Sequence, residues 1–358
     1  MLCLAAILYG CGRTGVSYEK KPVTATVAGK VMEVQDYVGS TLKFIEGDTL
    51  VCSTFSDQGM MAAYKISADI LTYLFDFLNK GRGPNEFFSP VMKRSGISGY
   101  DIMNTSETCA PVCLYSISGA IENVREYSRW ETYDLQWTGR LFSGDDFVRL
   151  SDDTILLLGA PFGSKSLLTV LDLDDRTVEP VPYWIEDGTD VPDFPKQTVY
   201  TVNSRILLNN GRLLYAAGEG RYLELMDISP DGHIGDRELI YGIYPNYSSK
   251  DGMNYRIEKP CYRGMDVYAT ERYIYVRLNS AETGFDDYKG YPWYYYDEVE
   301  VYDWEGPSLM LRMTKVAAFR MKEAAGWVQN DRLPQRRSGG LTVNWGLMQS
   351  DGYLDGRI

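Results

Sequence analysis

Asp152-Asp153-Thr154-Ile155-Leu156-Leu157-Leu158 is an acidic turn that runs straight into an apolar strand, and Leu168-Thr169-Val170-Leu171-Asp172 behind it is a second strand that ends on an acid. The same unit returns as Gly47-Asp48 into Thr49-Leu50-Val51-Cys52, as Asn210-Gly211 into Leu213-Leu214-Tyr215, and as Glu271-Arg272 into Tyr273-Ile274-Tyr275-Val276. A fainter copy passes through Gly99-Tyr100-Asp101-Ile102. Further alternating strands, Tyr222 to Asp227 and Glu298 to Asp303, run into the turns Pro230-Asp231-Gly232 and Glu305-Gly306. A β-rich unit recurring about every 50 to 60 residues is the signature of a propeller blade. Helical periodicity is nearly absent before residue 307. The expectation is therefore an all-β chain folded as one β-propeller, since a ring of blades removes the sheet edges an open array would expose.

Composition narrows the function classes. Of 358 residues, 44% are apolar and 13% aromatic, which is ample for a buried core. The net charge of -13 argues against a nucleic-acid surface or an anionic bilayer face, because both require clustered Lys and Arg. The chain has one histidine, His233, placed in the turn Pro230-Asp231-Gly232-His233. A His-rich zinc site is thus impossible, and a Ser/His/Asp triad would need that turn residue as its base.

At the N-terminus, Leu2 to Tyr9 form a short apolar run that meets Gly10-Cys11. Leu8-Tyr9-Gly10-Cys11 resembles a bacterial lipoprotein cleavage box, with residues 1–11 as signal peptide and Cys11 as the lipidated residue. Residues 12–30 read as a polar tether and 31–306 as the propeller. Among the other cysteines, Cys109 and Cys113 are the only close pair, and Pro111 between them permits a turn that would bring them together.

Two further motifs carry a resemblance. Lys80-Gly81-Arg82-Gly83-Pro84-Asn85-Glu86-Phe87 resembles the glycine-proline loop of the TolB-like propeller lipoproteins, relatives of the NHL-type propellers. Val301-Tyr302-Asp303-Trp304-Glu305-Gly306 is similar to that family's blade ending. The resemblance implies a six-bladed propeller, export to the periplasm or an outer-membrane-anchored lipoprotein, and no catalytic residues. Read physically, Gly81 and Gly83 permit positive φ, Pro84 fixes the next dihedral, and Phe87-Phe88 anchor the loop in the core. No strand-loop-helix context or Walker lysine accompanies the glycines, so a phosphate cradle is disfavoured.

After Gly306 the composition changes. Residues 307–358 hold 8 Lys and Arg against 4 Asp and Glu, whereas residues 1–306 hold 28 against 45. Leu309 to Val328 reads as an irregular helix, and no strand pair continues the unit begun at Val299. Either a shifted reading frame replaces the last blade, leaving it incomplete, or the segment is a genuine appendage.

The densest aromatic cluster is Trp293-Tyr294-Tyr295-Tyr296, preceded by Asp286-Asp287. Rings flanked by carboxylates suit sugar binding, although propellers also use Tyr and Trp simply to pack blades. Asp145-Asp146, Asp172-Asp174-Asp175 and Asp187-Asp190-Asp193 have the side chains for calcium or acid/base chemistry, or serve as turn residues capping their own backbone. No metal or cofactor is assigned, with calcium left open. The leading expectation is an envelope-anchored module, more a binder than an enzyme, that takes a glycan or an envelope protein through its loop face. The alternatives are a metal-dependent hydrolase or lactonase on the same fold, and a protein–protein scaffold.

Overall fold

The computed structural model describes residues 33–34, 41–54, 59–67, 70–81, 86–95, 99–105, 111–138, 141–161, 163–262, 265–278 and 298–314. Blade one comprises β2 to β5 (Thr41–Glu46, Thr49–Ser53, Met61–Ser67, Ile70–Phe77), with the short β1 (Glu33–Val34) pairing parallel to β5. Blade two comprises β6 to β9 (Ser89–Arg94, Gly99–Thr105, Pro111–Ser118, Glu131–Asp134), and blade three β10 to β13 (Leu141–Arg149, Thr154–Pro161, Leu168–Asp172, Thr177–Val181). Blade four comprises β14 to β17 (Arg205–Asn209, Arg212–Ala216, Arg221–Ile228, Ile234–Ile243). A two-stranded ribbon, β18 (Tyr247–Ser248) with β19 (Arg256–Ile257), precedes blade five, β20 to β23 (Met265–Ala269, Tyr273–Leu278, Glu298–Asp303, Gly306–Thr314). Each blade is an antiparallel meander. The described residues therefore form a β-propeller arrangement of five blades, where the family resemblance implied six.

The turns explain the repeat. Asn210 and Gly211 both have positive φ (48° and 77°), so they close the β14–β15 hairpin with the reversed twist that flanking strands require. The acidic or glycine-bearing turns before β3, β7, β11, β15 and β21 occupy the same place in all five blades. Second strands read as continuous apolar runs because neighbouring blades cover both of their faces. In β11, Ile155 and Leu157 pack with Met103 and Leu114 of blade two, while Leu156 and Leu158 pack with Ile206, Leu213 and Tyr215 of blade four. In β15, Leu214 turns the other way, into the core shared with Val267, Ile274 and Val276 of blade five. Tyr268 of β20 packs against the core of blades one and two, and its Oη donates to Ile45 O at 3.4 Å.

Buried polar clamps lock the blades. Asp101 of blade two is buried, and Arg149 of blade three reaches it through Nε to Oδ2 (2.8 Å) and Nη2 to Oδ1 (2.9 Å). Ser116 Oγ donates to Asp101 Oδ1 at 2.6 Å. Between blades three and four, Glu224 accepts from Tyr183 and Tyr222 Oη (2.7 and 3.0 Å) and from Arg237 Nε and Nη2 (2.8 and 3.0 Å). A lysine cannot reproduce a planar two-point contact. Arg149→Lys is expected to lower stability by about 1–3 kcal/mol, read as an earlier urea midpoint with an unchanged m-value.

Four expectations need correcting. Leu309 to Thr314 are strand, not helix: β23 crosses the composition break and pairs with β22, as Val299↔Met313 and Val301↔Leu311. The residues have good helix propensity, but the free edge of β22 supplies a partner, and tertiary pairing overrides local preference. Residues 315–358 lie outside the described set. Conversely, α1 (Asp193–Thr201) interrupts a region expected to be helix-free. Phe88 is 41% exposed and anchors nothing, whereas Phe87 is buried against Tyr115 and Trp130. Cys113 is a thiol, not half of a disulfide.

Candidate functional site: the central channel

The two ends of the ring differ. Every innermost strand starts at one end and finishes at the other, so blade-to-blade connections and second-to-third-strand connections all emerge at the same end. Among the described residues, that end carries 78–81 and 86–88, 182–204 with α1, and 244–262 with the β18–β19 ribbon. The opposite end is closed mainly by short turns, including Gly47-Asp48, Asn210-Gly211 and Trp304-Glu305, with the short 3₁₀ turns at 121–129 as its longest excursion. Long connections on a rigid scaffold are where binding surfaces are normally built.

Each of the five innermost strands carries a charged side chain: Lys43 of β2, Lys93 of β6, Asp146 of β10, Arg205 of β14 and Asp266 of β20. The charged groups acting on the Lys43 amine are those four other residues, one from each remaining blade. Asp146 reaches the axis because β10 carries a bulge between Ser143 and Asp146, a device that re-aims a side chain. Its carboxylate is buried and fully engaged. Lys93 Nζ lies 2.6 Å from Oδ1 and 2.8 Å from Oδ2, and the Ile206 N–H donates to Oδ2 at 2.9 Å. Lys93 Nζ also donates to Ile206 O at 3.1 Å, so blades two, three and four meet on one ion pair.

The second carboxylate, Asp266, is paired with Arg277 of the adjacent strand. Both acids are thus spoken for. Lys43 and Arg205 have no carboxylate partner among the described residues, and the one hydrogen bond of the Arg205 side chain to them runs from Nη1 to Ser204 O at 2.9 Å. Burial lowers the Lys43 amine below the ordinary lysine range, and Arg205 and Lys93 lower it further against the opposing pull of Asp146 and Asp266. Burial likewise lowers Lys93, more than its bond to Asp146 raises it. Lys43 and Lys93 thus sit in a setting that disfavours their charge.

A second polar cluster ties the loop-bearing end together. Asp187 is buried and accepts from Thr189 N (3.1 Å), Thr189 Oγ1 (2.9 Å), Lys196 Nζ (2.8 Å), Tyr200 Oη (3.0 Å) and Tyr247 Oη (2.7 Å). Lys196 and Tyr200 belong to α1 and Tyr247 to β18, so one carboxylate pins both insertions. All its lone pairs are satisfied within the protein, which makes this a structural node.

The residues singled out from sequence fall as follows. Asp146 is axial, and Asp145 lies beside it on β10. Asp172 Oδ1 accepts from the N–H groups of Asp174 (3.0 Å) and Asp175 (2.7 Å), a turn capping its own backbone. In the 80–87 loop, Gly81 N donates to Phe87 O at 3.1 Å, and a Cβ on Gly81 would overlap the Glu86 carboxylate. Arg82, Gly83 and Pro84 lie outside the described residues. So do Asp286, Asp287, Trp293 to Tyr296 and Cys11. Among the described residues, no three His, Cys, Asp or Glu side chains converge as a metal-holding group. Sequence reading missed Lys43, Lys93, Arg205 and Asp266. Their common signal is a charge on the first strand of each blade, visible once the strand order is known.

These features define a propeller with a charged channel. No protein-family model and no curated protein matches the chain. Among solved structures it is similar to an inferred exported protein of Bacteroides fragilis, with 10% identity, a TM-score of 0.45, and coverage of 80% of this chain and 75% of that one. It is also similar to a member of the DUF4221 family from Bacteroides vulgatus, with 11% identity, a TM-score of 0.46, and coverage of 81% and 86%. An inferred 6-phosphogluconolactonase of Bacteroides fragilis gives 10% identity, a TM-score of 0.31, and coverage of 76% and 69%. Scores at this level transfer neither a site nor an activity, and the propeller assignment rests on the chain's own strand order.

Proposed function

We propose that this protein is an exported, lipid-anchored propeller that binds its ligand at the loop-bearing end, in the mouth of the central channel. One observation carries the reading: each of the five innermost strands bears a charged side chain, and those of the other four blades all act on the Lys43 amine of the first. A merely structural ring has no need of charges there, since burying them costs several kcal/mol unless something repays it. Export and anchoring rest on the lipobox reading of Cys11. Five blades suffice for the ring in this reading, because Tyr268 of blade five already bonds Ile45 of blade one. A sixth blade, as the resemblance implied, would have to part that contact.

The ligand is a glycan or the surface of an envelope protein, and the aromatic and acidic groups of Asp286, Asp287 and Trp293 to Tyr296 are the rim that meets it. A thermal-shift screen of glycans and envelope extracts identifies a ligand. Its affinity is then measured on Lys43→Met for the channel and on Trp293→Ala for the rim. The reading predicts a loss of at least tenfold in the channel variant. Unchanged affinity in Lys43→Met contradicts channel binding, and unchanged affinity in Trp293→Ala removes the rim.

A further inference from the structure

The geometry points to a small oxyanion, a carboxylate or a phosphoryl group, as what the channel holds, and we propose that it sits between Lys43 and Arg205. This inference rests on the channel reading and names the chemistry of its ligand. Lys43 comes from blade one and Arg205 from blade four, so a group that meets both must lie on the axis. The Arg205 guanidinium is steadied by its Nη1 bond to Ser204 O, leaving its other N–H donors for a planar two-point contact. Lys43 adds a point charge on a flexible stem.

The pairing pattern elsewhere makes the two cations conspicuous. The chain has 49 Asp and Glu against 36 Lys and Arg, so carboxylates outnumber cations. Of the other charges on the innermost strands, Lys93 pairs with Asp146, and Asp266 with Arg277 of the adjacent strand. Lys43 and Arg205 are left without a carboxylate among the described residues and act on each other repulsively. An anion arriving on the axis removes that repulsion and supplies the missing partner to both. General basicity is not the cause, because the chain as a whole carries -13.

The test is calorimetric titration of the full chain in detergent, at low ionic strength, with inorganic phosphate, glucuronate and glucose. The expected result is binding of phosphate, glucuronate or both, with no heat from glucose. Lys43→Met and Arg205→Met are expected to weaken that binding at least tenfold each. Lys65→Met, which removes an exposed cation on blade one, is expected to leave it unchanged. Binding by only one anion selects the carboxylate or the phosphoryl source. Lys43→Met keeps the apolar stem and removes a desolvated charge, so it is expected to melt no lower than the parent, which separates lost binding from lost fold. Absence of binding by both anions at millimolar concentration, or affinities within twofold of the parent in both channel variants, overturns the inference. If a neutral glycan or a protein binds instead and Lys43→Met abolishes it, the oxyanion falls and the channel reading stands. If that binding also ignores Lys43 and Arg205, both fall.

Discussion

Asp187→Ala is expected to cost about 3–5 kcal/mol of stability, the largest single-residue effect in the molecule. The substitution leaves the Lys196 ammonium, only 5% exposed, facing Trp184 with no carboxylate closer than Glu186 at 3.9 Å. Two tyrosine hydroxyls, on α1 and β18, lose their acceptor at the same time. A melting point lower by on the order of 10 °C is the corresponding thermal readout. A loss below about 1 kcal/mol would mean that α1 and the ribbon are held by apolar packing alone. The pH dependence gives an independent check. Burial alone would raise the Asp187 carboxyl, but hydrogen bonds from Lys196, Tyr247 and Thr189 hold it below the usual range. A depressed carboxyl contributes stability that is present above its unfolded value, near pH 4, and lost as pH falls through the lower folded value. Urea midpoints measured from pH 6 down to pH 3 should therefore fall in the parent and be flatter in Asp187→Asn.

Asp146→Ala is expected to show the second largest loss, again about 3–5 kcal/mol, but with a signature that Asp187→Ala lacks. Removing this carboxylate strips Lys93 Nζ of its counter-charge and the Ile206 N–H of its acceptor, while Lys43 loses one of its two opposing acids. Three cations then face one another, with Asp266 already committed to Arg277. Added phosphate should restore part of the melting point of Asp146→Ala, by more than it raises the parent's, because an anion stabilises most where repulsion is greatest. Asp187→Ala, remote in mechanism, should gain no more than the parent. Equal gains in all three proteins would mean that phosphate acts as an excluded salt and not through the axis.

The fold was largely legible because blade construction is local. The five turn-and-strand copies read from sequence are the five first hairpins of the ring, each set by short-range turn chemistry and by a strand buried on both faces. The number six came from the resemblance, whereas the residues themselves repeat five times. β23 was misread because Leu309-Met310-Leu311-Arg312 has helix-forming composition, and the strand exists only through pairing with β22. The channel was legible only in part, through Asp146. Lys43, Lys93, Arg205 and Asp266 each sit alone on a short first strand, separated by whole blades, and nothing local marks them. Convergence on an axis is a property of ring closure, which no window of sequence contains. Asp187 shows the converse: it reads in sequence as a carboxylate near two others, but apart from the neighbouring Thr189 its partners lie on α1 and β18, tens of residues away in the case of Tyr247.

The most direct test of the channel as the binding site is an anomalous-difference map from crystals of the full chain soaked in selenate, an oxyanion whose position can be read without ambiguity. The account predicts a peak on the ring axis within hydrogen-bond reach of Lys43 Nζ and the Arg205 guanidinium, absent in Lys43→Met. Peaks confined to the outer surface, or an axis in which carboxylates from residues 279–297 or 315–358 already pair Lys43 and Arg205, would contradict it.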